Sequence, residues 1–238
     1  MLKVLDLFSG VGGFALGLDR AGGFKTAAFC EIGRFQRRVL AKHWPGVPIY
    51  GDVRQITAQS LRLDGIAADI GIVCGGFPCQ PFSTASRGRR VAADFWPDMA
   101  RIVDTIRPRY VVAENVQEEA IANAAEDLGR LGFGTYYRRI SGFGAGADHQ
   151  RDRWWAFAYP HSKGEFRGAI DAEVAKLPEV CRGLWGAGNY ARAIRVPDGV
   201  SNRLDGRERI EAMGNAVFPQ IPEIIGKAIV IHDQRPLA

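Results

Sequence analysis

LKVLDLFSGVGG (residues 2–13) runs apolar from Leu2 to Phe8 with two charged interruptions. It then breaks into Ser9-Gly10-Val11-Gly12-Gly13 ahead of the helical stretch FALGLDRAG, which Gly22 and Gly23 end. That is a strand, a tight turn and a helix. The alternation returns downstream. TAAFCE (26–31) reads as a strand with a helix through about His43, IGIVCGG (70–76) as a strand, 97–106 as a helix with Pro97 in its first turn, and YVVAENV (110–116) as a strand. Strands and helices in alternation predict an α/β fold, a mostly parallel sheet with helices on both faces. A helix over about 117–131 follows, and then TYYRRIS and RWWAFAYP as two strands joined by a Gly-rich turn. Residues 161–213, rich in Gly, Arg and Pro, lose the pattern, and an apolar helix over about 220–232 returns to the main layer.

A chain of 238 residues, 47% hydrophobic and 24% charged, has room for one or two globular domains and excludes collagen-like and disordered classes. No apolar run approaches the roughly 18 residues of a membrane span. Lys3 and Asp6 stand where a secretory signal would be apolar, so a cytoplasmic protein without a membrane partner is expected. Cys30, Cys74, Cys79 and Cys181 form no CxxC pair and have no His at zinc-ligand spacing, which speaks against disulfides and against a metal. The net charge of +5 comes almost wholly from arginine, 25 Arg against 6 Lys. The rigid arginine fork suits phosphates and base edges, yet a GC-rich genome would enrich arginine without any partner, and charge alone does not choose.

Three places can carry chemistry. The glycine turn lets backbone approach a ligand at the carboxyl end of the first strand, and Glu31 closes the second strand, where an acid can accept both hydroxyls of a ribose. Ala15 at the last glycine position departs from GxGxxG, and such turns also serve merely to pack a helix on a strand. In GGFPCQPFS (75–83), prolines flank Cys79 just past a strand end, and a thiol there can attack carbon without a neighbouring base. Cys74 and Cys30, inside strands, read as core. Glu114 ends its strand on the same sheet edge, where it either caps the chain or, raised in pKa by burial, acts as an acid near neutrality.

DLFSGVGG, FPCQPFS, ENV, HQRDRWW and GNAVFPQ occur in this order and at fitting separations, and in this the chain resembles the C5-cytosine DNA methyltransferases over about 1–160 and 203–232. The resemblance implies a Rossmann-like class I S-adenosylmethionine-dependent fold. Residues 1–160 form the catalytic and cofactor-binding part, 161–202 a reduced target-recognition segment, and 203–238 the return to the catalytic part. It implies that Phe8, Ser9, Gly10 and Gly12 line the S-adenosyl-L-methionine pocket, that Glu31 holds the ribose, and that Ile32 packs on the adenine. Asp52, followed by Val53, reads the adenine amino group; Phe95 adds an apolar wall, and Asn215 and Ala216 close the site. Cys79 becomes the nucleophile toward C6 of cytosine and Glu114 the partner of N3. Arg151 and Arg153 match the two arginines of a Gln-x-Arg-x-Arg motif whose glutamine position is here His149. Gln80 and Ser83, and the loop arginines Arg87, Arg89 and Arg90, then face DNA, the loop closing over a base flipped from the duplex.

The resemblance further implies double-stranded DNA as partner, a monomer, and a place in the cytoplasm on the nucleoid, as a short bacterial enzyme of phage or restriction-modification type. Within 161–213, Arg182, Arg192, Arg195, Arg203 and Arg207, with Asn189 and Asn202, are the candidate base or phosphate contacts. So few residues predict a recognised site of about two to four base pairs, since each reliable base contact needs its own bidentate side chain. Two rivals remain. One is methylation of cytosine in transfer RNA, against which Ser83 leans. The other is a non-catalytic DNA-binding relative, against which intact Cys79, Glu114, Arg153 and Asn215 argue.

Overall fold

The computed structural model describes residues 1–66, 69–78, 94–142, 152–177 and 216–234. Seven strands form one sheet. They are β1 (Leu2–Leu7), β2 (Phe24–Cys30), β3 (Ile49–Tyr50), β4 (Ile70–Gly76), β5 (Tyr110–Asn115), β6 (Gly134–Ser141) and β7 (Asp152–Tyr159). Their order across the sheet is β3-β2-β1-β4-β5-β7-β6. β1 to β5 run parallel, whereas β7 is antiparallel to both β5 and β6. The order reverses between β1 and β4, the switch point at whose carboxyl edge open α/β sheets bind ligands.

The central strands β1, β4 and β5 bury both faces over most of their length, which is why these segments read as apolar runs rather than as alternation. On one face lie α1 (Gly13–Ala21), α2 (Arg34–His43), α6 (Arg167–Ala175) and α7 (Gln220–Asp233). Phe14 and Leu18 of α1, Ile170 of α6 and Ile221, Ile224, Ile225 and Ile229 of α7 form one buried cluster with Val4, Ile72, Val112 and Trp155 of the sheet. The opposite face carries α3 (Ala58–Leu63), α4 (Trp96–Ile106) and α5 (Glu118–Arg130). Leu61, Met99, Ile102, Val103, Ile121 and Leu128 pack there against Leu5, Leu7, Val73 and Val111.

The structure adds what the pattern left out: β3, a 3-10 turn at Val53–Gln55, α3 and α6. Of the irregular segment, the described part 161–177 stays with the main layer, because Phe166, Ala169 and Ile170 are buried in its core. The end of α7 is tied to this region. His232, fully buried, has Nδ1 3.0 Å from the Tyr110 hydroxyl and Nε2 3.1 Å from the Gly164 carbonyl. Among the described residues no helix is long and apolar enough to cross a membrane.

Candidate active site

The turn after β1 divides its glycines between two tasks. A Cβ on Gly10, at φ +54°, would meet nothing within 4 Å, so this backbone faces open space. A Cβ on Gly12, at φ +91°, would stand 2.5 Å from the Trp44 ring, and one on Gly13 would press into the Val217 carbonyl. Packing therefore accounts for Gly12 and Gly13, whereas at Gly10 only the positive φ calls for glycine and the space beside it is open. Phe8 also has positive φ, +53°, and its ring lies 6.1 Å from that of Phe95. Ser9 is turned inward, its hydroxyl donating to the Asp6 carbonyl at 2.6 Å and accepting from the Cys30 amide at 3.3 Å. It stitches β1 to β2, so a contact from Ser9 to a cofactor has to come from its backbone.

Glu31 follows β2 and spans two turns. One carboxylate oxygen accepts from the Gly10 amide at 2.7 Å and the other from the Gly33 amide at 2.7 Å. A carboxylate has about four acceptor sites on its two oxygens, so two hydroxyls can still be received by a group whose orientation is already fixed. Beside it the apolar Ile32 is 69% exposed, a large surface left uncovered by the protein itself. Asp52 caps the 3-10 turn through the Arg54 amide at 2.9 Å and pairs with the Arg54 guanidinium at 2.6 Å. The Arg54 side-chain hydrogen bond, and then the Arg54 amide, hold its pKa down to about 2. The Val53 side chain is buried with Ile56 and Leu61, so this residue can offer a ligand only backbone. Together an apolar platform, a pre-oriented carboxylate and a second acid lie along the carboxyl edge of β1, β2 and β3, which fits an adenosine-bearing cofactor.

The second half of the site lies across the switch point. Glu114, near the end of β5, forms an ion pair with Arg153 of β7, Oε1 to Nε at 2.8 Å. The pairing rests on register, with Glu114 opposite Trp155 and Asn115 opposite Trp154. Arg153 also donates from Nη1 to the Asp152 carbonyl at 2.9 Å. Gly76, which closes β4 beside Glu114, leaves the space this carboxylate uses, since a Cβ there would sit 2.6 Å from Glu114 Oε2. Burial was the expected influence on Glu114, and the structure adds the Arg153 guanidinium as a fixed partner for its carboxyl group.

Asn115, quoted in the ENV motif but given no role there, is 3% exposed and donates from Nδ2 to the Phe77 carbonyl at 2.9 Å, while its Oδ1 accepts from the Gln117 amide at 3.0 Å. It fixes the chain just before Cys79. Its signals were its place in the ENV motif and a polar side chain at the end of an apolar strand. Phe77 and Trp96 rings lie 5.2 Å apart and the Phe95 amide donates to the Pro78 carbonyl at 3.4 Å, so the end of β4 and the start of α4 are held together. Cys79, Gln80, Ser83, Arg87, Arg89, Arg90, Arg151, Arg182, Arg192, Arg195, Arg203 and Asn215 lie outside the described residues. Ala216 is described and partly buried. The core cysteines are unsuited to nucleophilic work. Burial first, then the charges of Glu31, Asp52 and Asp6, push the Cys30 thiol up to about 12, and burial raises Cys74 as well.

A family model described as C-5 cytosine-specific DNA methylase matches residues 2–180. Among curated relatives, the type II methyltransferase M.HgiBI of Herpetosiphon aurantiacus is 32% identical over 165 residues, covering 63% of this chain and 36% of that protein. M.AluI of Cellulosimicrobium cellulans is 35% identical over 118 residues, covering 48% and 22% respectively. The chain thus spans well under half of the length of either relative. In fold it is similar to a prophage-encoded E. coli protein described as a candidate DNA modification methyltransferase, with TM-score 0.66, 19% identity and coverage of 99% and 100%. The S. pombe Dnmt2 methyltransferase aligns with TM-score 0.57 at 19% identity, covering 69% of this chain and 53% of that one.

Proposed function

The chain belongs to the C-5 cytosine-specific DNA methylase family, and from that premise we propose that it methylates C5 of a cytosine turned out of duplex DNA. S-adenosyl-L-methionine, when bound, supplies an electrophilic methyl group on a sulfonium. Gly10, Glu31, Ile32 and Asp52 would hold its adenosine part, with Phe8 and Phe95 as apolar walls and Asn215 and Ala216 closing the site. What supports the reading most is the Glu114–Arg153 pair at the carboxyl edge of β5, one strand from the Phe77-Pro78 approach to Cys79.

Each residue has a task set by the substrate. Aromatic C5 is a poor nucleophile until C6 is saturated. The Cys79 thiolate forms a bond to C6, the displaced electron pair passes to C5, and N3 gathers negative charge. Glu114, as the carboxylic acid, donates its proton to N3 as that charge develops and takes it back when the charge is lost, an interaction stronger in the transition state than in the ground state. Arg153 keeps Glu114 oriented, and with Arg151 it faces the cytosine O2. After C5 has gained the methyl group it loses its proton, the C6–S bond breaks, and the thiolate is restored. Neither ring atom is reachable within a stacked duplex, so the base must be turned out, at a cost of a few kcal/mol that Gln80, Ser83 and the loop arginines Arg87, Arg89 and Arg90 would offset. Recognition of the flanking bases would fall to Arg182, Arg192, Arg195 and Arg203.

The test is methyl transfer from labelled cofactor to duplex DNA and to total RNA in parallel. The proposal requires label on DNA that bisulfite sequencing maps to cytosine C5. Label on RNA alone would replace the substrate, and no label with saturating cofactor would leave a binding protein. Cys79→Ser should abolish turnover with cofactor binding near the original level, because a hydroxyl at its ordinary pKa is a far weaker nucleophile. Multiple turnovers by this variant would remove Cys79 from its role.

A further inference from the structure

We infer that Arg101, which no sequence motif singled out, is a positioning residue for the adenine end of the cofactor. The inference rests on the reading of Asp52 and Val53 as the adenine-facing segment. Beyond the Asp52 cap and the buried Val53 and Ile56 side chains, the backbone of that segment has short supports. β3, which delivers it, is two residues long and among the described strands pairs with β2 alone. The 3-10 turn that follows, Val53–Gln55, is a single turn, too short to be stable by its own hydrogen bonds.

Arg101 reaches this turn from the middle of α4, which packs in the same layer. Its Nη1 donates to the Ile56 carbonyl at 2.7 Å and its Nη2 to the Val53 carbonyl at 3.1 Å. One planar fork therefore holds the carbonyls at both ends of the turn. Asp98, one helical turn earlier, lies 3.6 Å from Nη2 and keeps the guanidinium aimed. A lysine ammonium, a point charge on a flexible stem, cannot reproduce two bonds of fixed mutual angle. With Val53 and Ile56 held, the Asp52 carboxylate keeps its place at the head of the turn.

A second contact of the same helix argues for a role at the site rather than in the core. Phe95, the residue before α4, packs on Phe8 after β1. α4 thus braces two segments that the reading above assigns to the cofactor. The Arg101 side chain is 40% exposed, so its removal opens little core. Its effect should fall on binding geometry more than on stability.

The experiment measures binding of S-adenosylhomocysteine and of its inosine analogue, in which a carbonyl replaces the adenine amino group, to the full chain and to Arg101→Ala and Arg101→Lys. Kinetics at saturating DNA accompany the binding. In Arg101→Ala the affinity for S-adenosylhomocysteine should fall by about tenfold, the preference over the inosine analogue should narrow by a similar factor, and kcat should stay within about twofold. Arg101→Lys should recover only part of the preference. Should Arg101→Ala not fold, Arg101→Lys carries the same comparison. An unaltered preference in a folded variant, or a loss confined to kcat, overturns the inference. Failure of the unsubstituted chain to bind S-adenosylhomocysteine at all would instead overturn the reading of the cofactor site.

Discussion

Asp6 lies in the middle of the apolar stretch from which the fold was read, and it is fully buried with no hydrogen-bond partner for either oxygen among the described residues. Burial holds its carboxyl well above the usual carboxylate range. The Ala15 amide, near it without a hydrogen bond of normal geometry, opposes this in part, and the charge of Glu31 adds to it. In the unfolded chain this group loses its proton near the ordinary value of about 3.9. Between that pH and the raised native pKa the folded state binds the extra proton, so stability falls as pH rises, by up to about 1.4 kcal/mol per pH unit. Urea unfolding from pH 4 to 7 should show this slope in the original chain and lose it in Asp6→Asn. An unchanged slope would assign it to another group. Sequence showed an acid among apolar residues but could not show which face of the strand it occupied. The glycine turn was ambiguous for the same reason, since only neighbours distant in the chain, Trp44 and Val217, separate the packing glycines from Gly10.

The elements that sequence revealed are those long enough to carry a period. β1, β4, β5, α4, α5 and α7 were each legible within a residue or two, because burial on both faces of a strand or on one stripe of a helix repeats over several residues. β3 has two residues and α3 six, too few to repeat anything, and α6 lies in a Gly- and Arg-rich stretch with a single large apolar side chain before its last turn, Ile170. α7 is also where packing can be measured. Ile225 is 1% exposed against α1, whereas Ile231, on the same helix, is 46% exposed. Ile225→Ala should cost about 2–5 kcal/mol through lost burial and the cavity left behind, and Ile231→Ala about 0.5 kcal/mol or less. Equal losses in chemical denaturation would mean that α7 does not seat as described.

For the whole molecule, the +5 charge would matter, on the proposed reading, where the loop arginines meet DNA phosphate. Replacing Arg89 and Arg90 together by Ala should flatten the salt dependence of DNA binding, by about 0.9 in the log–log slope for each phosphate contact removed. A slope that does not move would take those side chains off the backbone. The candidate site was legible as a set of motifs but not as an arrangement. Glu114 and Arg153 meet because β7 runs antiparallel beside β5, and Arg101 meets the turn after β3 because two helices share a layer, and neither neighbourhood is written in local pattern. The layer over α1 has a further consequence, because its cover, α7, comes from the far end of the chain. On the ribosome Phe14 and Leu18 are made early and lack this part of their cover until residues 216–233 emerge. A chaperone that grips bare apolar helices would find its client at that stage, and a message cut short before Ala216 would give a product that clumps instead of one that merely lacks a few contacts.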